Sequence, residues 1–371
     1  MKVVFIGPVY PYRGGIAHFT TALADAAGKA GHEIEVVSFK RQYPKFLYPG
    51  KSDQDPSVDA LSVPAKFLLD PLYPWTWEQA RKDIIRFEPD LVVFQWWTTF
   101  WAPAFGTLAR GLTRAGIKNI FLIHNVFPHE TRPWDQTLVN YALSATDSFI
   151  TLSESQRQIV SNLFPRAKVE CTPIPAYQLS TDTKIDPAEA KSRLGIPPER
   201  KVALFFGIVR PYKGLRLLVE AAGMLKRQGN PVHLLIAGEF WENFSDYQRL
   251  FEHEGLGDWV TVQNRYIPNE DIPLCFGVAD VFVAPYVGGT QSGAVKLALG
   301  YGIPIVVTPG ITDEMMNIGE NTNVFVSSSA DSASLIEPIK FALQAQPKKD
   351  YGSDSDNSWL GLINTLENLG R

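Results

Sequence analysis

The run Val202-Ala203-Leu204-Phe205-Phe206-Gly207-Ile208-Val209-Arg210-Pro211-Tyr212-Lys213-Gly214-Leu215 opens with five consecutive apolar residues, turns at a glycine, and passes through a short basic loop into an amphipathic stretch. Five apolar residues bounded by a turn signal read as a strand covered on both faces, and a strand feeding a helix through a short loop is the repeating unit of a parallel α/β sheet. The same pattern recurs upstream at Val3–Ile6, Glu35–Ser38, Leu91–Gln95, Ile120–Ile123 and Ser148–Leu152, and downstream at Val232–Ala237, Val260–Gln263, Val281–Ala284 and Ile305–Thr308. Just before Val202 the alternation breaks, because TDTKIDPAEAKSRLGIPPER (181–200) is polar and rich in proline. Two doubly wound parallel-sheet domains in succession are therefore expected: residues 1–178, a linker over 179–200, and residues 201–346. Residues 347–371 form a closing segment whose helix, Trp359–Leu369, carries an apolar stripe of Trp359, Leu360, Leu362, Ile363, Leu366 and Leu369. Such sheets bind ligands beyond the carboxyl ends of their strands, so the two domains are expected to face a central cleft.

Composition narrows the function classes. The 371 residues are 45% hydrophobic and 20% charged, a globular balance with ample core. A net charge of -4 lacks the basic footprint of a nucleic-acid binder, and no nucleic acid is expected as partner. Cys171 and Cys275 stand alone, without a CxxC or Cys/His cluster, which predicts neither disulfide framework nor metal site and fits a reducing, cytoplasmic setting. The opening apolar run, Val3–Ile6, stops at Gly7-Pro8, too short for a signal peptide, and no stretch reaches the ~18 apolar residues of a membrane span. The expectation is a protein that is soluble or attached only to a membrane surface.

Four strand ends carry chemistry. After Val3–Ile6 come Gly14 and Gly15, opening a helix expected over Phe19–Gly31; backbone N–H groups beside paired glycines suit an anion, and a simple glycine turn is the alternative. Neither GxGxxG nor GxxxxGK[ST] is present, which excludes the dinucleotide and P-loop fingerprints. At the next site, Ile123-His124-Asn125-Val126-Phe127-Pro128-His129-Glu130, His124 should face the crevice and bond a substrate hydroxyl or stabilise charge, or else cap its loop. Arg210 and Lys213 offer a guanidinium fork and an ammonium that together can grip a diphosphate, against the alternative of solvated surface cations. Finally, Val287-Gly288-Gly289-Thr290-Gln291-Ser292-Gly293 feeds a helix over Ala294–Gly300, a second anion-accepting cradle.

The order GGIA near the start, HN at a strand end, FFGIVRPYKGL, RYIPNEDIP, AD-VFVAPY-VGGTQSG and GIPIVVT resembles glycosyltransferase family 4 enzymes of the GT-B fold, in the subset with a Gln-Ser-Gly loop, over nearly the whole chain. The resemblance implies two Rossmann-like domains and a retaining transfer of a sugar from a nucleoside diphosphate sugar, UDP- or GDP-linked, with no further cofactor and no essential metal. It implies a last helix that crosses back onto the first domain. By the same resemblance Gly14, Gly15 and Gly207 lie on the donor side, His124 contacts the donor sugar, and Arg210 and Lys213 bind the diphosphate. Tyr266 and Ile267 receive the nucleobase through backbone groups, and Thr290, Gln291, Ser292 and Gly293 hold the donor. Two departures stand out. The paired glutamates of many relatives correspond to Gly289 and Leu297, which leaves ribose recognition without its usual carboxylates, and the arginine usually five residues before the lysine is Ile208, with Arg210 only three before it.

For the acceptor, a glycan or lipid-linked sugar, the candidates are Trp96, Trp97 and His129, because aromatic faces pair with sugars and lipid tails; ordinary core packing is the alternative for the tryptophans. The mixed basic and aromatic segment Lys40–Gly50 could touch anionic lipid on the inner face of the plasma membrane. The expected role is cell-surface polysaccharide biosynthesis. Rival readings are a nucleotide-sugar epimerase or hydrolase on the same fold, and a nucleotide- or glycan-binding protein that has lost catalysis.

Overall fold

The computed structural model describes residues 1–44, 46, 48, 50–128, 130–174, 185–288, 292–311, 323–346 and 355–370. The chain divides into two units: Met1–Asp55 with Leu61–Pro175 and Ser355–Arg371, and Pro56–Ala60 with Ala176–Asp354. Each unit is built on its own parallel sheet.

The first sheet has the described strands β1 (Lys2–Ile6), β2 (Glu33–Phe39), β3 (Lys66–Leu69), β4 (Leu91–Trp96), β5 (Asn119–Ile123), β6 (Ser148–Thr151) and β7 (Lys168–Cys171), in the spatial order β3-β2-β1-β4-β5-β6-β7. The order reverses between β1 and β4, which pair in register from Val3↔Leu91 to Ile6↔Phe94. Its helices are α1 (Gly15–Lys29), α2 (Pro74–Phe87), α3 (Ala102–Arg114), α4 (Asp135–Leu143) and α5 (Glu154–Leu163). All residues of β4 and β5 are buried, as continuous apolar runs covered on both faces must be. Aromatic side chains fill the space above them: Phe39 stacks on Trp101 at 4.2 Å and Phe94 on Phe121 at 4.9 Å.

The second unit contains α6 (Pro187–Leu194), β8 (Val202–Phe206), α7 (Leu215–Arg227), β9 (His233–Ala237), α8 (Phe244–His253), β10 (Val260–Gln263), α9 (Ile272–Gly277), β11 (Val281–Ala284), α10 (Gly293–Gly300), β12 (Ile305–Val307), β13 (Val324–Val326) and α11 (Ile336–Gln344). Its strand order is β10-β9-β8-β11-β12-β13, so here the reversal falls between β8 and β11. A reversal opens a crevice where neighbouring loops diverge, and both units place glycine-bearing loops there.

The final helix α12 (Ser355–Gly370) belongs to the first unit. Leu362, Ile363 and Leu366 are buried, Trp359 packs its ring 5.4 Å from Phe19, and Glu367 pairs with His32 at 3.2 Å. Leu360 is exposed, so the buried stripe is narrower than the apolar spelling suggests.

Several boundaries differ from the sequence reading. β3, β7 and β13 have no counterpart in it, and each is a sheet edge. α1 begins at Gly15, not Phe19, with Gly14 as its N-cap residue and the His18 N–H donating to the Gly14 carbonyl at 3.1 Å. Within the polar 179–200 stretch lies α6, held by Asp186, whose carboxylate accepts from Ala188 and Glu189 N–H, and stopped by Gly195. Helix α12 starts at Ser355, inside a segment whose polarity reads as loop.

Candidate functional site

In the second unit, β8 ends at Phe206 and Gly207 follows with φ +107°, a conformation that side chains strain to adopt. A Cβ at Gly207 would lie 2.8 Å from the Lys213 Nζ, so the missing side chain is what lets the ammonium in. Lys213 closes a single 3-10 turn, Pro211–Lys213, which folds the side chain back over the strand end. The ammonium stands 5.3 Å from the Tyr286 ring centroid, a cation–π distance, and among the described residues no carboxylate pairs with it. Burial pushes its pKa below the ordinary lysine range; Tyr212 opposes the shift and Arg210 adds to it. A half-buried cation without a counter-charge is held at a cost, and such a group is suited to receive an anion. Arg210 lies 5.4 Å from the Trp241 ring and 5.7 Å from that of Tyr212.

Tyr286, just beyond β11, ties this loop to the next. Its hydroxyl is 3.1 Å from the Ser292 Oγ, and Ser292 caps α10 by accepting from the Val295 N–H at 3.3 Å. The Val287 N–H donates to the Tyr212 carbonyl (2.8 Å), and Thr308 Oγ1 donates to the Tyr286 carbonyl. Gly293 is the exposed first residue of α10. Gly207, Arg210, Lys213, Ser292 and Gly293 thus gather at the β8/β11 reversal, with Tyr286 as the residue that sequence reasoning missed. Thr290 and Gln291 lie outside the described residues, as does Gly289. Tyr266 and Ile267 follow β10, two strands from β8; Ile267 is buried in the core, while Tyr266 is partly exposed. Next to them the Asn269 N–H donates to Ser57 Oγ at 2.9 Å, which draws Pro56–Ala60 into this unit.

In the first unit, Gly14 and Gly15 sit at the start of α1 with open space where a Cβ would point. Beside them the His18 Nε2 and the buried Asp55 Oδ2 are 3.1 Å apart, and the Arg13 Nε donates to the Tyr48 hydroxyl at 2.8 Å. His124 follows β5, buried, edge-on to Phe19 with centroids 4.9 Å apart. Its Nε2 is 2.8 Å from the Gln95 Oε1, and burial lowers its pKa to about 3, so at neutral pH it is an uncharged imidazole. Gln95 is a second residue missed; the signal was a single polar residue inside the apolar run Leu91–Trp96. Trp96 is completely buried, donating its indole N–H to the Val126 carbonyl at 3.1 Å, so packing is the role it displays. Trp97 is partly exposed and donates to the Tyr43 hydroxyl at 3.0 Å. His129 lies outside the described residues. Among the described residues no group of three or more His, Cys, Asp or Glu side chains could hold a metal ion, and no helix is long and apolar enough to cross a membrane.

With this arrangement in view, residues 13–175 match Glycosyltransferase Family 4 and residues 200–345 match Glycosyl transferases group 1. The chain belongs to glycosyltransferase family 4. Relatives of this family 4 chain include the 2-deoxystreptamine glucosyltransferase of Streptomyces kanamyceticus, 24% identical over 207 residues that cover 55% of this chain and 53% of that protein. O-antigen chain mannosyltransferase B of Escherichia coli is 23% identical over 221 residues, 54% of this chain and 53% of that one. The chain spans about half the length of these relatives. Among solved structures, HepE of Anabaena in complex with UDP-glucose superposes with a TM-score of 0.70 at 15% identity, covering 100% of this chain and 97% of that one. The sucrose-phosphate synthase of Thermosynechococcus elongatus gives 0.69 at 16% identity, covering 100% and 96%. These likenesses establish the GT-B fold of the family 4 chain.

Proposed function

We propose that the chain transfers a sugar from a nucleoside diphosphate sugar, UDP- or GDP-linked, to a glycan or lipid-linked acceptor, with retention at the anomeric carbon, in cell-surface polysaccharide biosynthesis. The observation that carries this reading is the half-buried Lys213 ammonium, which has no carboxylate partner among the described residues and stands beside Arg210 at a strand-order reversal. The relatives whose names specify glucosyl and mannosyl transfer support it.

In the proposed reaction the acceptor oxygen bonds to the anomeric carbon as the bond from that carbon to the diphosphate oxygen breaks. The departing oxygen keeps the electron pair and takes the acceptor's proton on the same face. Lys213 and Arg210 stabilise the charge growing on the diphosphate, where fixed cations in an enclosed site act most strongly. His124 contacts the donor sugar, and Gly14 and Gly15 let its phosphates approach α1. Trp97 is the aromatic face left for the acceptor, and the enzyme works at the cytoplasmic side of the membrane without a metal.

Thermal shift against UDP, GDP, ADP and dTDP and their sugars tests the donor site, since a ligand that binds only the folded state raises the Tm. Stabilisation by one base, lost in Lys213→Ala, is the expected result. The variant should also lower turnover by about tenfold or more through loss of a charge-assisted contact in the transition state. A folded protein that responds to none of the nucleotides would sink the transferase reading.

A further inference from the structure

Gln95 occupies an unusual position for an amide. It is the penultimate residue of β4, fully buried at the β1/β4 reversal among apolar neighbours, and its Nε2 has no hydrogen-bond partner among the described residues. A buried amide donor left unsatisfied is destabilising, so the carbonyl half of the group must serve a purpose that a leucine of similar size would not. That half points at His124: Oε1 to Nε2, 2.8 Å. An amide oxygen can only accept, so the proton of the neutral ring lies on Nε2 and the Nδ1 keeps its lone pair. Nothing among the described residues hydrogen-bonds that Nδ1. Gly7, the residue after β1, makes the arrangement possible, because a Cβ there would come within 2.6 Å of the Gln95 Cγ. Phe19, edge-on to the imidazole, holds the ring from the α1 side.

We propose that Gln95 is a positioning residue for the donor sugar: it fixes the His124 proton on Nε2 and so presents Nδ1 as an acceptor for a sugar hydroxyl. This rests on the transferase reading and deepens it. A histidine held in this state recognises an O–H group and does not deliver a proton to the departing diphosphate. It discriminates against a donor sugar that lacks the hydroxyl, because the Nδ1 covered by that sugar is then left without its partner.

The test reads the ring directly, by 15N NMR of histidine-labelled protein without any donor, with His124→Asn to assign the signal among the six histidines. The expected spectrum has a protected proton on Nε2, and no titration of the ring between pH 8 and about 5, as its depressed pKa requires. In Gln95→Met that protected proton should disappear and kcat/KM for the donor should fall by about tenfold or more as the ring loses its orientation. Gln95→Glu keeps the size and the acceptor, so the proton should stay on Nε2 while the new carboxylate lifts the titration of the ring. A proton on Nδ1 in the unaltered protein would overturn the proposal, as would a protected Nε2 proton that persists in Gln95→Met. The ring is read with no nucleotide present, so a failure of donor binding registers separately, in the thermal shifts, as a failure of the transferase reading.

Discussion

Burial acts on two ionisable side chains of the candidate site in the same direction, lowering the pKa of the Lys213 ammonium and taking that of His124 to about 3. His233, the first residue of β9, is similarly held down to about 4 by burial and then by Arg200. An unfolded histidine titrates near ~6.5, so between that pH and the folded value the unfolded chain binds the extra proton. The stability contributed by keeping these rings neutral is therefore complete above about pH 6.5 and is lost as the pH falls. From pH 6.5 to 5 each histidine should remove about 1–2 kcal/mol, and denaturant titrations of His233→Gln against the parent should show its share missing. For Lys213 the consequence is functional. A bound diphosphate supplies the counter-charge that no described carboxylate provides, so nucleotide affinity should weaken as pH rises through the lowered lysine pKa, and calorimetric titrations of Lys213→Ala should show no such alkaline limb. Gly207→Ala tests the same corner sterically: its Cβ would displace the ammonium from 2.8 Å, and φ +107° adds backbone strain of about 1–2 kcal/mol. Donor affinity measured by calorimetry should fall by about tenfold or more through loss of the contact.

Among elements, legibility followed local pattern: the partly exposed edge β10 (VTVQ) was readable from its β-branched residues, as the covered strands were from their apolar runs. Strands covered on both faces, such as Leu91–Trp96 and Val202–Phe206, spell themselves as apolar runs, whereas the edges β3 (KFLL) and β7 (KVEC) have little or no fully buried surface and carry charges that blunt an open edge. They are defined by their neighbours, through pairs such as Val37↔Lys66 and Ser148↔Lys168, which no local pattern announces. The site divides in the same way. Glycine and basic loops after β1, β8 and β11 were readable because turn chemistry and charge are local, while Gln95 and Tyr286 act through partners 29 and 6 residues away, and only the folded sheet brings Gln95 to His124. Ser292 belongs to both levels, as the cap of α10 and the partner of Tyr286. Ser292→Ala should cost about 1 kcal/mol through the lost cap, seen as a lowered Tm, and should loosen the Tyr286 ring under Lys213.

At the scale of the molecule, the chain does not complete one unit before starting the other. It leaves the first unit at Pro56–Ala60, returns for Leu61–Pro175, builds the second, and finishes the first with α12. The first unit therefore lacks part of its core until the last residues are in place: Leu362, Ile363 and Leu366 are buried there, Thr365 meets Thr172 at 3.3 Å, and Lys118 donates to the Gly370 carbonyl at 3.2 Å. Among the described residues these contacts fall within the first unit. Truncating a fully buried leucine costs about 2–5 kcal/mol, so Leu362→Ala should weaken the first unit selectively. Hydrogen exchange read by mass spectrometry separates the two. Peptides from β1, β4 and α1 should exchange faster in the variant, while those from β8, β9 and β11 keep the protection they have in the parent. Equal loss in both sheets would mean that the units unfold as one, and that α12 supports the whole chain rather than the unit it is packed in.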